Sequence, residues 1–137
     1  GTVTNNDVRI TISIADDTNI NDGENGVFSI TLSYNNPNSV AVGSSIILPY
    51  STASVTAPAG ASCGDASALY VQQLNQQIFI SPGATSDTIF VATCERALIP
   101  LEFRVNISNP SLSVANPNVH FSISDSQASG IICDGSC

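Results

Sequence analysis

The feature that most constrains this chain is strict alternation of apolar and polar residues, repeated in run after run. Val8, Ile10, Ile12 and Ile14 are apolar, while Arg9, Thr11 and Ser13 between them are polar. Phe28, Ile30 and Leu32 alternate in the same way with Ser29, Thr31 and Ser33. Ile99, Leu101, Phe103, Val105 and Ile107 alternate with Glu102, Arg104 and Asn106, and Val119, Phe121 and Ile123 with His120, Ser122 and Ser124. Successive strand side chains point to opposite faces, so each run predicts a half-buried β-strand with one face on a core. Ser45–Val55, Leu69–Ile80 (with a break near Leu74-Asn75) and Asp87–Thr93 read as further strands, and Gly130–Cys133 as a short one that extends or caps the last.

Turn residues punctuate these runs: Asn21-Asp22-Gly23, Asn35-Asn36-Pro37-Asn38, Ala57-Pro58-Ala59-Gly60, Ser81-Pro82-Gly83 and Asn109-Pro110. No segment carries a helical apolar period. The expectation is an all-β fold, a two-sheet antiparallel sandwich of about seven strands. The 137 residues suit one such domain, 1–137, with 1–7 as an N-terminal arm. The longest irregular stretch, Thr56–Ala68, carries Cys63, and a loop of that length in a compact sandwich is either functional or pinned.

Composition removes several function classes. Charged residues are 10% of the chain, and its only basic side chains besides His120 are Arg9, Arg96 and Arg104, against 11 acids, for a net charge of -8. Phosphate contacts need clustered Lys and Arg, so nucleic acid is not an expected partner. Anionic membrane surfaces are disfavoured for the same reason, and no apolar run is long enough for a membrane helix. The one histidine, His120, sits at a solvent-face strand position with no nucleophile motif beside it. Gly-rich phosphate loops are absent as well, and the expectation is that the chain is not an enzyme. Tryptophan is absent, and a sugar-stacking platform would have to come from Tyr34, Tyr50 and Tyr70. Asn106-Ile107-Ser108 is a glycosylation sequon, but its place on a strand argues against use.

Cys63, Cys94, Cys133 and Cys137 form no CxxC pair and fit no zinc spacing with His120. They argue for disulfides and an oxidising compartment, with three connectivities open. A secreted or cell-surface location follows as an expectation. Asp16-Asp17, with Asp22 and Glu24, reads as a solvated hairpin loop, with a site for one weakly held calcium ion as the alternative.

Taken in order, several motifs resemble the Calx-beta family, the immunoglobulin-like sandwich of sodium–calcium exchangers and bacterial surface proteins. They are Val8-Arg9-Ile10-Thr11-Ile12, Asn21-Asp22-Gly23, Gly26 to Ser33, Tyr50-Ser51-Thr52-Ala53 and Ser81 to Ser86. Glu102 to Pro110 matches best, and Ala128 to Asp134 looks like the family's closing strand. The resemblance implies an immunoglobulin-like, Calx-beta-like sandwich of bacterial surface type. It also implies calcium ligands at one end, which fall here on Asp22, Asp65 and Asp134. The family's paired acids after the fifth strand are replaced by Cys94-Glu95, and its next acidic stretch by Arg96 to Pro100. Calcium needs six to eight oxygens, several from carboxylates, so this set is short. The resemblance brings the loops of Asp65 and Cys94 together, which implies a Cys63–Cys94 disulfide in the ion's place and a local Cys133–Cys137 pair.

Three functions remain. The first is a structural or adhesive module with no cofactor, bound to itself or to neighbouring domains through strand edges. The second is a calcium-binding regulatory module. The third is a sandwich that takes a surface ligand such as a glycan.

Overall fold

A computed structural model describes residues 8–35, 45–65, 67–95, 100–115, 117 and 119–133. Their strands are β1 (Val8–Ile14), β2 (Asp17–Asn21), β3 (Asn25–Tyr34), β4 (Ile46–Ser54), β5 (Ala59–Gly60) and β6 (Tyr70–Val71), followed by β7 (Gln76–Ile80), β8 (Ser86–Ala92), β9 (Leu101–Ile107), β10 (Ser111–Leu112), β11 (Val119–Asp125) and β12 (Gln127–Cys133). No helix occurs among the described residues. One sheet runs β11-β1-β3-β8 and the other β10-β4-β9-β12-β2, with β7 on β4, while β5 and β6 pair apart from both. The fold is the expected all-β sandwich.

The alternating runs behave as their pattern dictates. Along β3 burial alternates without exception from Asn25 to Ser33, and in β1 Ile10, Ile12 and Ile14 point inward. Leu69–Ile80 is broken as expected: β6 and β7 are separated by Asn75, which has φ 53. Asn tolerates this left-handed conformation better than most residues.

Three strand expectations need correction. There are twelve strands among the described residues, not about seven, because short pairings such as β5 and β10 occur within segments that read as loops. The sandwich is not wholly antiparallel: β1 pairs β11 in parallel, and β12 pairs β2 in parallel. Finally, the acidic hairpin loop contains β2, of which only Ile20 is buried.

The last two departures share one cause. The chain passes from the first sheet to the second between β1 and β2, and again between β11 and β12. Both first and last runs therefore split, and each half lies parallel to its counterpart. Gly130–Cys133 is accordingly part of a full strand in the opposite sheet from β11. Acidic side chains fasten the first crossing. Asp16 Oδ1 accepts the Ser129 amide at 2.8 Å, and Asp17 Oδ2 accepts the Val27 amide at 2.9 Å. The Asp16-Asp17 pair thus satisfies backbone donors of β12 and β3.

The sheets meet on three rings. Phe28 of the first sheet packs edge-on to Phe103 of the second, with centroids 5.7 Å apart, and Tyr70 stacks on Phe103 at 4.5 Å. Tyr70 is 1% exposed and its hydroxyl lies 2.8 Å from Ser54 Oγ, so it belongs to the core and not to a sugar platform. Gly130 lets the rings approach β12: a Cβ there would lie 2.7 Å from Phe103 Cζ and 2.8 Å from Phe28 Cζ.

Overpacking of a filled core costs about 1–3 kcal/mol. We expect Gly130→Ala to lower unfolding stability by that amount in urea titrations at an unchanged m-value. An unchanged midpoint would mean that the rings step aside freely.

Candidate functional site

β3 fixes the poles of the sandwich. Its Tyr34 end lies beside β1, where Ile10 pairs Tyr34 and the Asn35 amide donates to the Arg9 carbonyl at 3.0 Å. Its Asn25 end meets the last residue of β8, Ala92. The loops to which the resemblance would assign calcium ligands fall at this second pole, and four segments converge on it.

Gly23, with φ 87, makes the turn between β2 and β3, a backbone conformation open to glycine. A Cβ on Gly23 would lie 3.3 Å from Glu95 Cβ, so the turn sits directly against Glu95. Thr93, 5% exposed, knits the turn from beneath: its hydroxyl accepts the Gly23 amide at 3.0 Å and donates to the Glu24 carbonyl. The Asp22 amide donates to the Cys133 carbonyl at 2.9 Å, which fastens the end of β12 to the same turn. The Cys94 amide donates to the Leu69 carbonyl at 2.7 Å, and the Leu69 amide to the Pro58 carbonyl at 2.9 Å. The loop between β4 and β6 is thereby drawn onto the end of β8.

A disulfide between Cys63 and Cys94 joins these segments, with Cα atoms 5.4 Å apart. This is the pairing implied by the resemblance. Cys133 is also disulfide-bonded, and its expected partner Cys137 lies outside the described residues. A disulfide fits an oxidising compartment.

Of the three candidate calcium ligands, Asp22 is at the pole, in the turn facing Glu95. Asp65 is turned into its own loop, where Oδ2 accepts the Ala61 amide at 2.9 Å. Asp134 lies outside the described residues, as does Arg96. Among the described residues, no three His, Cys, Asp or Glu side chains gather where they could hold a metal ion. One oxygen stands apart: Asn21 Oδ1 is buried with no hydrogen-bond partner. On the described residues, the donor set does not fit calcium, which requires several convergent carboxylates. Glu102 lies on β9 as expected, half-buried and 3.8 Å from Arg104.

At the opposite pole β11 is an edge strand, paired among the described residues with β1 alone. Its half-buried Val119, Phe121 and Ile123 line an open groove with Pro110 and Leu112. His120 is exposed on the outer face, beside Arg9 of β1. Asn106 of the sequon accepts Gln127 Nε2 at 2.8 Å within the sheet. Tyr34 and Tyr50 are half-buried, and burial pushes both phenols above their ordinary pKa.

Sequence reasoning found the cysteines and Asp22 but missed Thr93 and the Leu69 carbonyl. A threonine at a strand end carries no signal of its own, and a carbonyl partner carries none at all.

No family model matches the chain, and no curated protein matches its sequence. Solved structures do match its fold. The apo form of the Calx CBD1 domain is 13% identical, over 93% of this chain and 96% of that chain, with a TM-score of 0.60. The Calx CBD2 domain is 11% identical over 91% and 86%, with a TM-score of 0.64. The calcium binding domain CBD12 of CALX1.1 is 14% identical over 90% of this chain and 44% of that one, with a TM-score of 0.60. The fold is therefore Calx-beta-like. At these identities the likeness is one of fold alone.

Two outcomes follow from the pole and the tyrosines. The Cys63–Cys94 bridge spans a sequence separation of 31, and closing a loop of that length stabilises by about 3–4 kcal/mol in the chain-entropy model. The double variant Cys63→Ala/Cys94→Ala is expected to lose that much in denaturant titrations. In alkaline titration, tyrosinate absorbance from Tyr34 and Tyr50 is expected to rise above the ordinary phenol pKa of 10.0. Because the folded pKa is the higher one, their stability contribution is full below the unfolded value and is lost as pH rises through the folded value.

Proposed function

We propose that this chain is a structural or adhesive extracellular module, a repeat of a bacterial surface adhesin or the subunit of an extracellular filament. It associates with itself or with neighbouring domains through strand edges, without a cofactor and without catalysis. The observation that carries this reading is that the first and last described strands open and close at opposite poles. β1 starts beside Asn35 at one pole, and β12 ends beside Asp22 at the other. The 10 residues of β3 span the two, a distance of about 34 Å at ~3.4 Å per residue. A module threaded from pole to pole fits an extended array.

Other features agree. β11, β8, β7 and β2 are edge strands, and an edge presents unpaired N–H and C=O groups to an incoming strand. Large apolar side chains stand outward on two of them: Phe79 is 63% exposed and Phe90 58%. The disulfide suits the compartment.

A calcium-binding regulatory module is the second reading, favoured by the bare Asn21 Oδ1 and by the CBD12 neighbour's being a calcium binding domain. A surface ligand such as a glycan has less support, since Tyr70 is in the core.

Light scattering and electron microscopy of the oxidised chain test the proposal, with calcium and with chelator. Ordered particles of many copies are expected in both samples. Lysine on an edge strand blocks pairing, so Ser122→Lys or Phe79→Lys is expected to cut the assembled fraction severalfold while the melting temperature stays put. A strictly monomeric chain at high concentration, or assembly indifferent to both variants, would sink the reading. Assembly or melting that follows calcium would favour the regulatory module instead.

A further inference from the structure

The pole that resembles a calcium site is already closed by other means. Four segments meet there, and each is fastened by a bond of this chain's own. The loop tip is held to β8 by Cys63–Cys94, and the loop base by the Cys94 amide on the Leu69 carbonyl. The β2–β3 turn is held by the Thr93 hydroxyl on Gly23 and Glu24. The end of β12 is held by the Asp22 amide on the Cys133 carbonyl. The acids do different work: Asp65 caps its own loop, and Glu95 packs against the Gly23 backbone.

We infer that in this chain the order of this pole is set by the redox state of Cys63 and Cys94, and not by a divalent cation. A cation would gather these loops through convergent carboxylates, and the described residues assemble no such set. A disulfide gathers them through one covalent bond, while the Asp65 carboxylate holds the Ala61 amide. The Cys94 residue is central, because its amide and its sulfur fasten the base and the tip of the same loop.

The bond is open to exchange from one side. Cys63 lies in an exposed run, Ala61 to Asp65, whereas Cys94 is 1% exposed. A thiolate of a small dithiol attacks Cys63 Sγ, the S–S bond breaks, and Cys94 leaves as a thiolate that takes up a proton. The reagent's second thiol then displaces Cys63, which is released as a thiol, and the reagent ends as its own disulfide. Two electrons and two protons have passed to the protein. What remains includes the hydrogen bonds at the base of the loop, without the covalent tie at its tip.

Amide hydrogen exchange read by mass spectrometry on the full chain decides between tie and ion. The wild-type oxidised chain and the Cys63→Ala/Cys94→Ala variant are each measured with millimolar calcium and with chelator. Exchange in residues 57–69 of the oxidised chain is expected to be the same with and without calcium. In the double variant those amides are expected to exchange at least ~10-fold faster, as local opening does when a tie is lost, while those of β1 and β3 keep their protection. If the variant does not fold, brief dithiol treatment of the wild type supplies the redox arm with the same two strands as control. Protection of the oxidised loop by calcium would overturn the inference, and so would a loop indifferent to loss of the disulfide. The readout is local to one chain, so it stands or falls separately from self-assembly.

Discussion

Phe103 is the contact on which the rest of this molecule depends. Its ring sits on the second sheet, meets Phe28 of the first edge-on and carries Tyr70 stacked on its face. Burial of these three aromatic side chains adds to what the aliphatic core gains, and the preferred edge and offset geometries add about 0.5–1.5 kcal/mol per pair. Position follows from that packing. Tyr70 held against Phe103 sets the Leu69 carbonyl at the end of β8, where the Cys94 amide meets it. That bond is part of an isolated antiparallel bridge between Tyr70 and Thr93. The disulfide therefore closes between segments that the core has already brought together.

Much of this was legible in the sequence, because period-two alternation is a direct consequence of one face being dry. β1, β3, β9 and β11 can be read off their isoleucines, valines and phenylalanines, and the break before β7 from Leu74-Asn75. β2 could not be read that way. It buries a single side chain, Ile20, and its polar remainder looks like a loop, because its pairing with β12 is a matter of backbone and not of side chains. The parallel pairings were hidden for a related reason. Alternation tells which residues face the core but not in which sheet a run lies, and each crossing takes only a few residues. Tyr70 shows the limit for single residues. An isolated tyrosine in a weakly patterned segment can face either way, and here its partners are Phe103 and Ser54, far from it in sequence.

At the pole, the cysteines and Asp22 stood out because their chemistry is distinctive. Thr93 did not, although its hydroxyl satisfies Gly23 and Glu24 together. Asp16 and Asp17 were the opposite case. They looked like a solvated or ion-binding pair, yet their carboxylates accept amides from β12 and β3 where the chain changes sheets. A carboxylate takes such hydrogen bonds readily because charge-assisted bonds are the stronger ones. Acids in a protein of net charge -8 thus serve as backbone partners at crossings and turns, and their number does not by itself point to a cation.

The two ends of the sandwich then differ in kind. One pole is tied by covalent and hydrogen bonds among four segments, and the last strand leaves there. The other is where the first strand enters, beside the edge of β11 and the open groove of Val119, Phe121 and Ile123. Edge strands ordinarily carry charge, and lysine above all, to discourage pairing with other chains. This chain has no lysine at all, and on β11 the outward positions are His120, Ser122 and Ser124. Serine leaves an edge available where lysine would close it. Among the described residues, such an edge on a domain whose far pole is fixed covalently agrees with the proposed role of joining neighbours.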